Sequence, residues 1–162
     1  MDISKRTSLL SRAVRLQVGA VLVKEGRIIS QSWNGTPAGQ DNNCETREWM
    51  PKGCLHLDDE YPYVEYSDYE DGAIIGRYKL KTKPEVIHAE ANLIMKLASS
   101  NESGKGSTIF ITHSPCIDCA KLIYGAGISD VYFSENYRDS AGVEFLKNLG
   151  INVTQHKTEE QQ

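Results

Sequence analysis

No apolar run in this sequence approaches the roughly 20 residues that a membrane-spanning helix requires. The stretch Met1–Arg6 has no signal-peptide core, so a chain of the cytoplasm is the expectation. Runs of Lys or Arg are also missing. With a net charge of −4 and a pI of about 5.6, a large polyanion is a poor fit as substrate and a small nucleotide a better one. Four cysteines in 162 residues do not make a disulfide framework. There is no internal repeat. What remains is ordinary for a globular enzyme: 40% hydrophobic and 25% charged residues, in a length that suits one domain with a real core.

The charge is unevenly spread. Residues 41–71 hold Asp41, Glu45, Glu48, Asp58, Asp59, Glu60, Glu65, Asp68, Glu70 and Asp71 against Arg47 and Lys52. Such a stretch repels nucleic acid, and membranes are excluded as partners by the absences above.

Chemistry is concentrated in His88-Ala-Glu90 and, further on, Pro115-Cys116-Ile117-Asp118-Cys119. One His and two Cys make three ligands, the number a catalytic zinc takes while leaving its fourth position open; a structural zinc takes four. The i, i+3 spacing puts Cys116 and Cys119 on one face of a first helical turn opened by Pro115, whose positive end favours thiolates. His88 and Glu90, two apart, converge on one metal only where a helix begins. Zinc lowers the pKa of bound water from 15.7 to about 7, so Glu90, which is not a ligand, is placed to take its proton. A Cys-x-x-Cys pair alone would equally fit a structural zinc or a redox pair. Joined to His-x-Glu, it is the signature of zinc-dependent nucleobase deaminases.

The pattern of elements is α/β. Ile3–Leu16 reads as an amphipathic helix; Val18–Lys24 and Arg27–Trp33 flank the hairpin signal Glu25-Gly26. Past a long polar segment come a helix over His88–Ser100, a strand over Thr108–Thr112, a helix over Cys116–Tyr124, a strand over Val131–Ser134, a helix over Val143–Leu149 and a fifth strand over Ile151–Thr154. This predicts a five-stranded mixed sheet with helices on both faces, a three-layer α/β/α arrangement, with both metal motifs at helix N-termini beside strand ends.

Three stretches resemble the deoxycytidylate (dCMP) deaminases of the cytidine deaminase superfamily, phage-type members among them. They are Gln17–Val23 with Trp33–Gly39, His88–Met95, and Ser114–Ile123 with Gly125–Ile128. The resemblance implies one cytidine-deaminase-like domain over 1–162 with an acidic, Tyr-rich insertion at about 41–87. It implies hydrolysis of dCMP to dUMP and ammonia, supplying dUMP for thymidylate synthesis. It assigns zinc to His88, Cys116 and Cys119 and proton transfer to Glu90. Substrate contacts fall to Asn34 (sugar hydroxyl), the Ala89 and Ser114 backbones (base amide edge) and Tyr137; Arg12, Arg15 and Arg138 are the choices for phosphate. It further implies a homohexamer activated by dCTP and inhibited by dTTP with Mg2+, Gly35, Pro37 and Gly39 forming part of the triphosphate loop. An ordinary turn is the plainer reading of those three.

Cys44, Cys54 and His56 are spaced so that a loop could fold back onto a second zinc, but three soft ligands fall short of the four a structural site takes. Free buried cysteines and a surface histidine are the simpler account. Tyr61, Tyr63, Tyr66 and Tyr69 are candidates to cover a pocket or a subunit face. The rival functions are deamination of another nucleoside, nucleotide or RNA, and a non-catalytic zinc-folded nucleotide-binding regulator. Glu90 argues against the last, since it has no structural duty in the site.

Overall fold

The computed structural model describes residues 1–52, 59–67 and 73–156. A short helix α1 (Asp2–Ser8) precedes the hairpin β1 (Gly19–Lys24) and β2 (Arg27–Trp33). The turn between them is Glu25 at φ 50° and Gly26 at φ 74°, the double positive φ of the two-residue turn that matches strand twist. β6 (Thr108–His113), β7 (Asp130–Glu135) and β8 (Asn152–Gln155) complete a sheet of order β2-β1-β6-β7-β8, antiparallel at β2-β1-β6 and parallel at β6-β7-β8. This is the expected five-stranded mixed sheet.

One face of that sheet carries the core. Ala20 and Leu22 of β1, Ile109 and Ile111 of β6 and Val131 of β7 are fully or almost fully buried. Against them pack Leu93 and Leu97 of α2 (Ala89–Ala98), Ala120 and Ile123 of α3 (Ile117–Gly125) and Leu146 of α4 (Ala141–Asn148). α1 lies on the opposite face, where side chains of alternate parity point. A Cβ on Gly19 would stand 2.2 Å from the Ser4 carbonyl oxygen, so the close approach of α1 requires glycine there.

The expected helix over Ile3–Leu16 stops at Ser8. Its apolar residues do not form a buried stripe: Leu9 is 70% and Val14 68% exposed. From Ala13 on, the backbone finds side-chain partners in place of a helical ladder. Ala13 N–H donates to Ser11 Oγ, Val14 and Arg15 N–H both donate to Glu45 Oε1, and Val18 N–H donates to Asn34 Oδ1. Pro115 is corrected too: Cys116 is the N-cap of α3, and Pro115 precedes it.

The 41–87 segment, expected as an acidic, Tyr-rich insertion, contains a second sheet. β3 (Glu45–Trp49), β4 (Tyr63–Tyr66) and β5 (Ile74–Thr82) pair antiparallel in the order β3-β5-β4. Register sets Trp49 and Tyr63 on either side of Tyr78, with ring centroids 5.3 and 5.4 Å apart, and Arg47 caps the Tyr78 ring at 4.8 Å. On the other parity Lys79 bridges Glu48 at 3.1 Å and Glu60 at 2.6 Å and lies over Tyr61. Aromatic stacking thus does in this sheet what aliphatic burial does in the main one. Tyr61 is buried and Tyr66 exposed; Tyr69 lies outside the described residues.

Candidate active site

Each metal motif is held by a backbone contact of its own. Gly35 and Ile87 exchange N–H to carbonyl bonds of 3.1 and 2.9 Å, pinning the Asn34-Gly35 turn to the residue before His88. On the other side a Cβ on Gly142 would fall 2.1 Å from the Pro115 carbonyl oxygen, so α4 lies directly on the Pro115-Cys116 backbone. His88 and Cys116 are the N-caps of α2 and α3, both extended (ψ 154° and 168°), and neither spends its side chain on a cap hydrogen bond. Cys119 sits one turn into α3.

His88 Nδ1 is 3.5 Å from Cys116 Sγ and 3.5 Å from Cys119 Sγ, and the three donor atoms all lie within 4.8 Å of one another. A tetrahedral zinc with Zn–S of about 2.3 Å and Zn–N of about 2.0 Å needs N···S separations of about 3.5 Å. The residues fit that ion. Among the described residues the group stops at three donors, which leaves the fourth position open. His88 is solvent-accessible, Cys116 half-buried and Cys119 buried, and His88 and Cys116 line the cavity.

Electrostatics in the metal-free chain follow from crowding. The bond from Cys119, aided by His88, lowers Cys116 to about 4, whereas the same contact and burial push Cys119 up. Contact with Cys116 raises His88. The pair shares one negative charge; a dication favours the deprotonated form of both thiols. Glu90 is 4% exposed, and burial pushes its carboxyl up to about 7. Its position in the first turn of α2 gives it a side of the helix end different from that of His88.

Above these residues is a cavity of about 270 Å³. Asn34, Ala89, Ser114 and Tyr137 line it, as do Arg15 and Arg138; Arg12 does not. Ser114 Oγ accepts from Tyr137 N–H at 2.7 Å, and Arg138 lies 5.4 Å from the Tyr137 ring centroid, so the three form one wall. Asn34 spans the segment below: its Oδ1 accepts from Val18 N–H at 2.8 Å and its Nδ2 donates to Leu16 O at 2.9 Å. Glu45, Thr82 and His113 also line the cavity and were missed by sequence reasoning. No local signal marks Glu45, one acid among ten in its stretch.

Pro37 and Gly39 are exposed and do not line the cavity; Gly39 has φ 86°, and Gln40 N–H donates to Pro37 O at 3.1 Å, the geometry of a turn. Cys44 is a free, buried thiol whose Sγ approaches Asn42 O at 3.6 Å. Cys54 and His56, the other members of the suggested second zinc site, lie outside the described residues.

The family model for the cytidine and deoxycytidylate deaminase zinc-binding region matches residues 1–135. The chain belongs to this family. It is 32% identical to the deoxycytidylate deaminase of Enterobacteria phage T4 over 94% of its length and 86% of that protein's. The human deoxycytidylate deaminase is 37% identical over 76% of this chain and 56% of the human one. Among solved structures, the dCMP deaminase of cyanophage S-TIM5 in complex with dCMP and dUMP superposes with a TM-score of 0.72 at 36% identity, covering 96% of this chain and 92% of that one. No described helix is long and apolar enough to cross a membrane.

Proposed function

We propose that the protein is a zinc-dependent dCMP deaminase that converts dCMP and water to dUMP and ammonia. The observation that carries this is the buried Glu90 beside a three-donor His88, Cys116, Cys119 group at the floor of a nucleotide-sized cavity. Similarity to phage enzymes of that name across most of the chain supports the choice of substrate. When bound, the zinc supplies Lewis-acid activation of water at neutral pH. The chain's own groups do the rest. Glu90 takes a proton from the attacking water and delivers it to N3 of the ring, then takes the second proton from the hydroxyl so added and gives it to the amino group, which leaves as ammonia. The Ala89 and Ser114 backbones hold the amide edge of the base, Tyr137 covers it, and Asn34 faces the sugar. Arg15 and Arg138, both at the cavity wall, are suited to the phosphate.

The chain works as one domain over 1–162, with 41–87 as an insertion, in the cytoplasm, on small nucleotides and not on nucleic acid or membrane. The same reading makes it a homo-oligomer, a hexamer, which accords with exposed apolar residues such as Leu9, Val14 and Met95. Activation by dCTP and inhibition by dTTP with Mg2+ act through the Gly35, Pro37, Gly39 turn. The tether from Gly35 to Ile87 gives that turn a mechanical route to His88.

The test is ammonia release by zinc-loaded protein offered dCMP, deoxycytidine, CMP and dCTP in parallel, with and without dCTP or dTTP as effectors. Turnover restricted to dCMP is expected; turnover of deoxycytidine, or of none of the four, overturns the substrate assignment. A rate indifferent to both triphosphates removes the regulatory part.

A further inference from the structure

A groove of about 460 Å³ lies beside α4, at the carboxyl ends of the parallel strands β7 and β8, and takes no part in the reaction described above. Crevices outside such strand ends are where open α/β sheets bind ligands. Phe133 and Val153 give the groove apolar lining, and Asn136, Arg138, Lys147 and Gln155 give it polar lining. No Asp or Glu among the described residues lines it. Glu144, which accepts from Ser140 Oγ at 2.6 Å, belongs to the first turn of α4, whereas Lys147 stands in the last.

The polar groups here keep unused donors. Among the described residues neither Arg138 nor Lys147 has an ion-pair partner, and the Asn136 side chain has no hydrogen bond. Gln155 Nε2 gives one hydrogen to Ser134 O at 2.9 Å, which leaves the other. A concave surface with charge of one sign concentrates counter-ions, and guanidinium, ammonium and amide N–H groups are donors that suit a phosphate. Tyr137 and Arg138 bound both this groove and the active-site cavity. A guanidinium engaged by an anion in the groove is withdrawn from the substrate.

We propose that this groove is a second anion site, which holds a phosphate dianion, free or carried by a small phosphate ester, through Arg138 and Lys147. Resting on the dCMP reading above, its occupancy weakens dCMP binding through the shared Arg138.

Calorimetric titration of the zinc-loaded full chain with inorganic phosphate and, separately, with ribose 5-phosphate tests the site without turnover. Lys147→Met is expected to weaken binding roughly 10-fold, and Lys147→Arg, which keeps the charge, to retain most of it. The probe that binds tighter in a Lys147-dependent way identifies the source of the phosphate. Lys147 is exposed and does not line the active-site cavity, so both variants keep the fold and the KM for dCMP in phosphate-free buffer. Added phosphate then raises that KM more in the parent than in Lys147→Met. No binding of either probe, or equal binding by the parent and Lys147→Met, overturns the groove assignment. A KM equally sensitive to phosphate in both overturns the link through Arg138. If dCMP is not turned over at all, the dCMP reading fails while the titrations still decide the groove.

Discussion

The two sheets of this protein are stabilised by different means. The main sheet buries Ala20, Leu22, Ile109, Ile111 and Val131 under α2, α3 and α4. The second holds Trp49, Tyr63 and Tyr78 in a stack that leaves Trp49 44% and Tyr63 38% exposed, flanked by ion pairs of Lys79. The first carries His88, Cys116 and Cys119 at the starts of helices that rest on that core. Of its described residues, the second delivers only Glu45 and Thr82 to the cavity and needs no such core to do so. Chemistry is anchored in the deeply packed half, and the shape of the substrate end is left to the thinly packed one.

That contrast can be broken or sharpened by mutation. The largest effect is expected from Glu90→Gln, which lowers the rate of ammonia release from dCMP by about 10²–10⁴-fold while zinc content, measured by metal analysis, stays at one per chain. A loss of zinc in this variant would mean that Glu90 serves the metal site structurally. In the main sheet, Ile109→Ala should cost about 2–5 kcal/mol in denaturant unfolding, because the cavity is enclosed on all sides. Gly142→Ala should cost about 1–3 kcal/mol and also weaken zinc retention, since the new methyl group presses on the Pro115 and Cys116 carbonyls. Trp49→Ala in the second sheet should cost about 1 kcal/mol or less by the same unfolding measurement. A penalty as large as that of Ile109→Ala would show that the two sheets are equally deep. The smallest effect belongs to Lys79→Met, an exposed ion-pair change, for which thermal melting in high salt should not differ from the parent.

How far each half was legible in the sequence follows the same division. In the main sheet the hairpin announces itself through Glu25-Gly26, and the helices over 89–98 and 117–125 through apolar spacing and their ligand-bearing starts. Both signals depend on burial that is strong on one side only. The 41–87 segment gives no such alternation. Its strands are short, charged at Glu48, Glu65, Lys79 and Lys81, and stabilised by cross-strand aromatic pairs whose partners are up to 29 residues apart, as Trp49 and Tyr78 are. The opening helix is shorter than its pattern predicts for the converse reason: Leu9, Leu10 and Val14 supply an apolar period but are exposed.

The sequence alone determined the chemistry: three zinc donors, one carboxylate outside the donor set, and the helix starts that carry them, because each depends on residue type and short spacing. Only tertiary structure decided which distant groups share the cavity. Glu45, Arg15, Arg138 and Tyr137 come from four separate places in the chain and meet through the Gly35–Ile87 tether, the packing of α4 on the Pro115-Cys116 backbone, and the capping of residues 14 and 15 by Glu45. Those contacts join residues about 30 to 50 positions apart, and no local pattern records a pairing whose reason is the space left between two sheets.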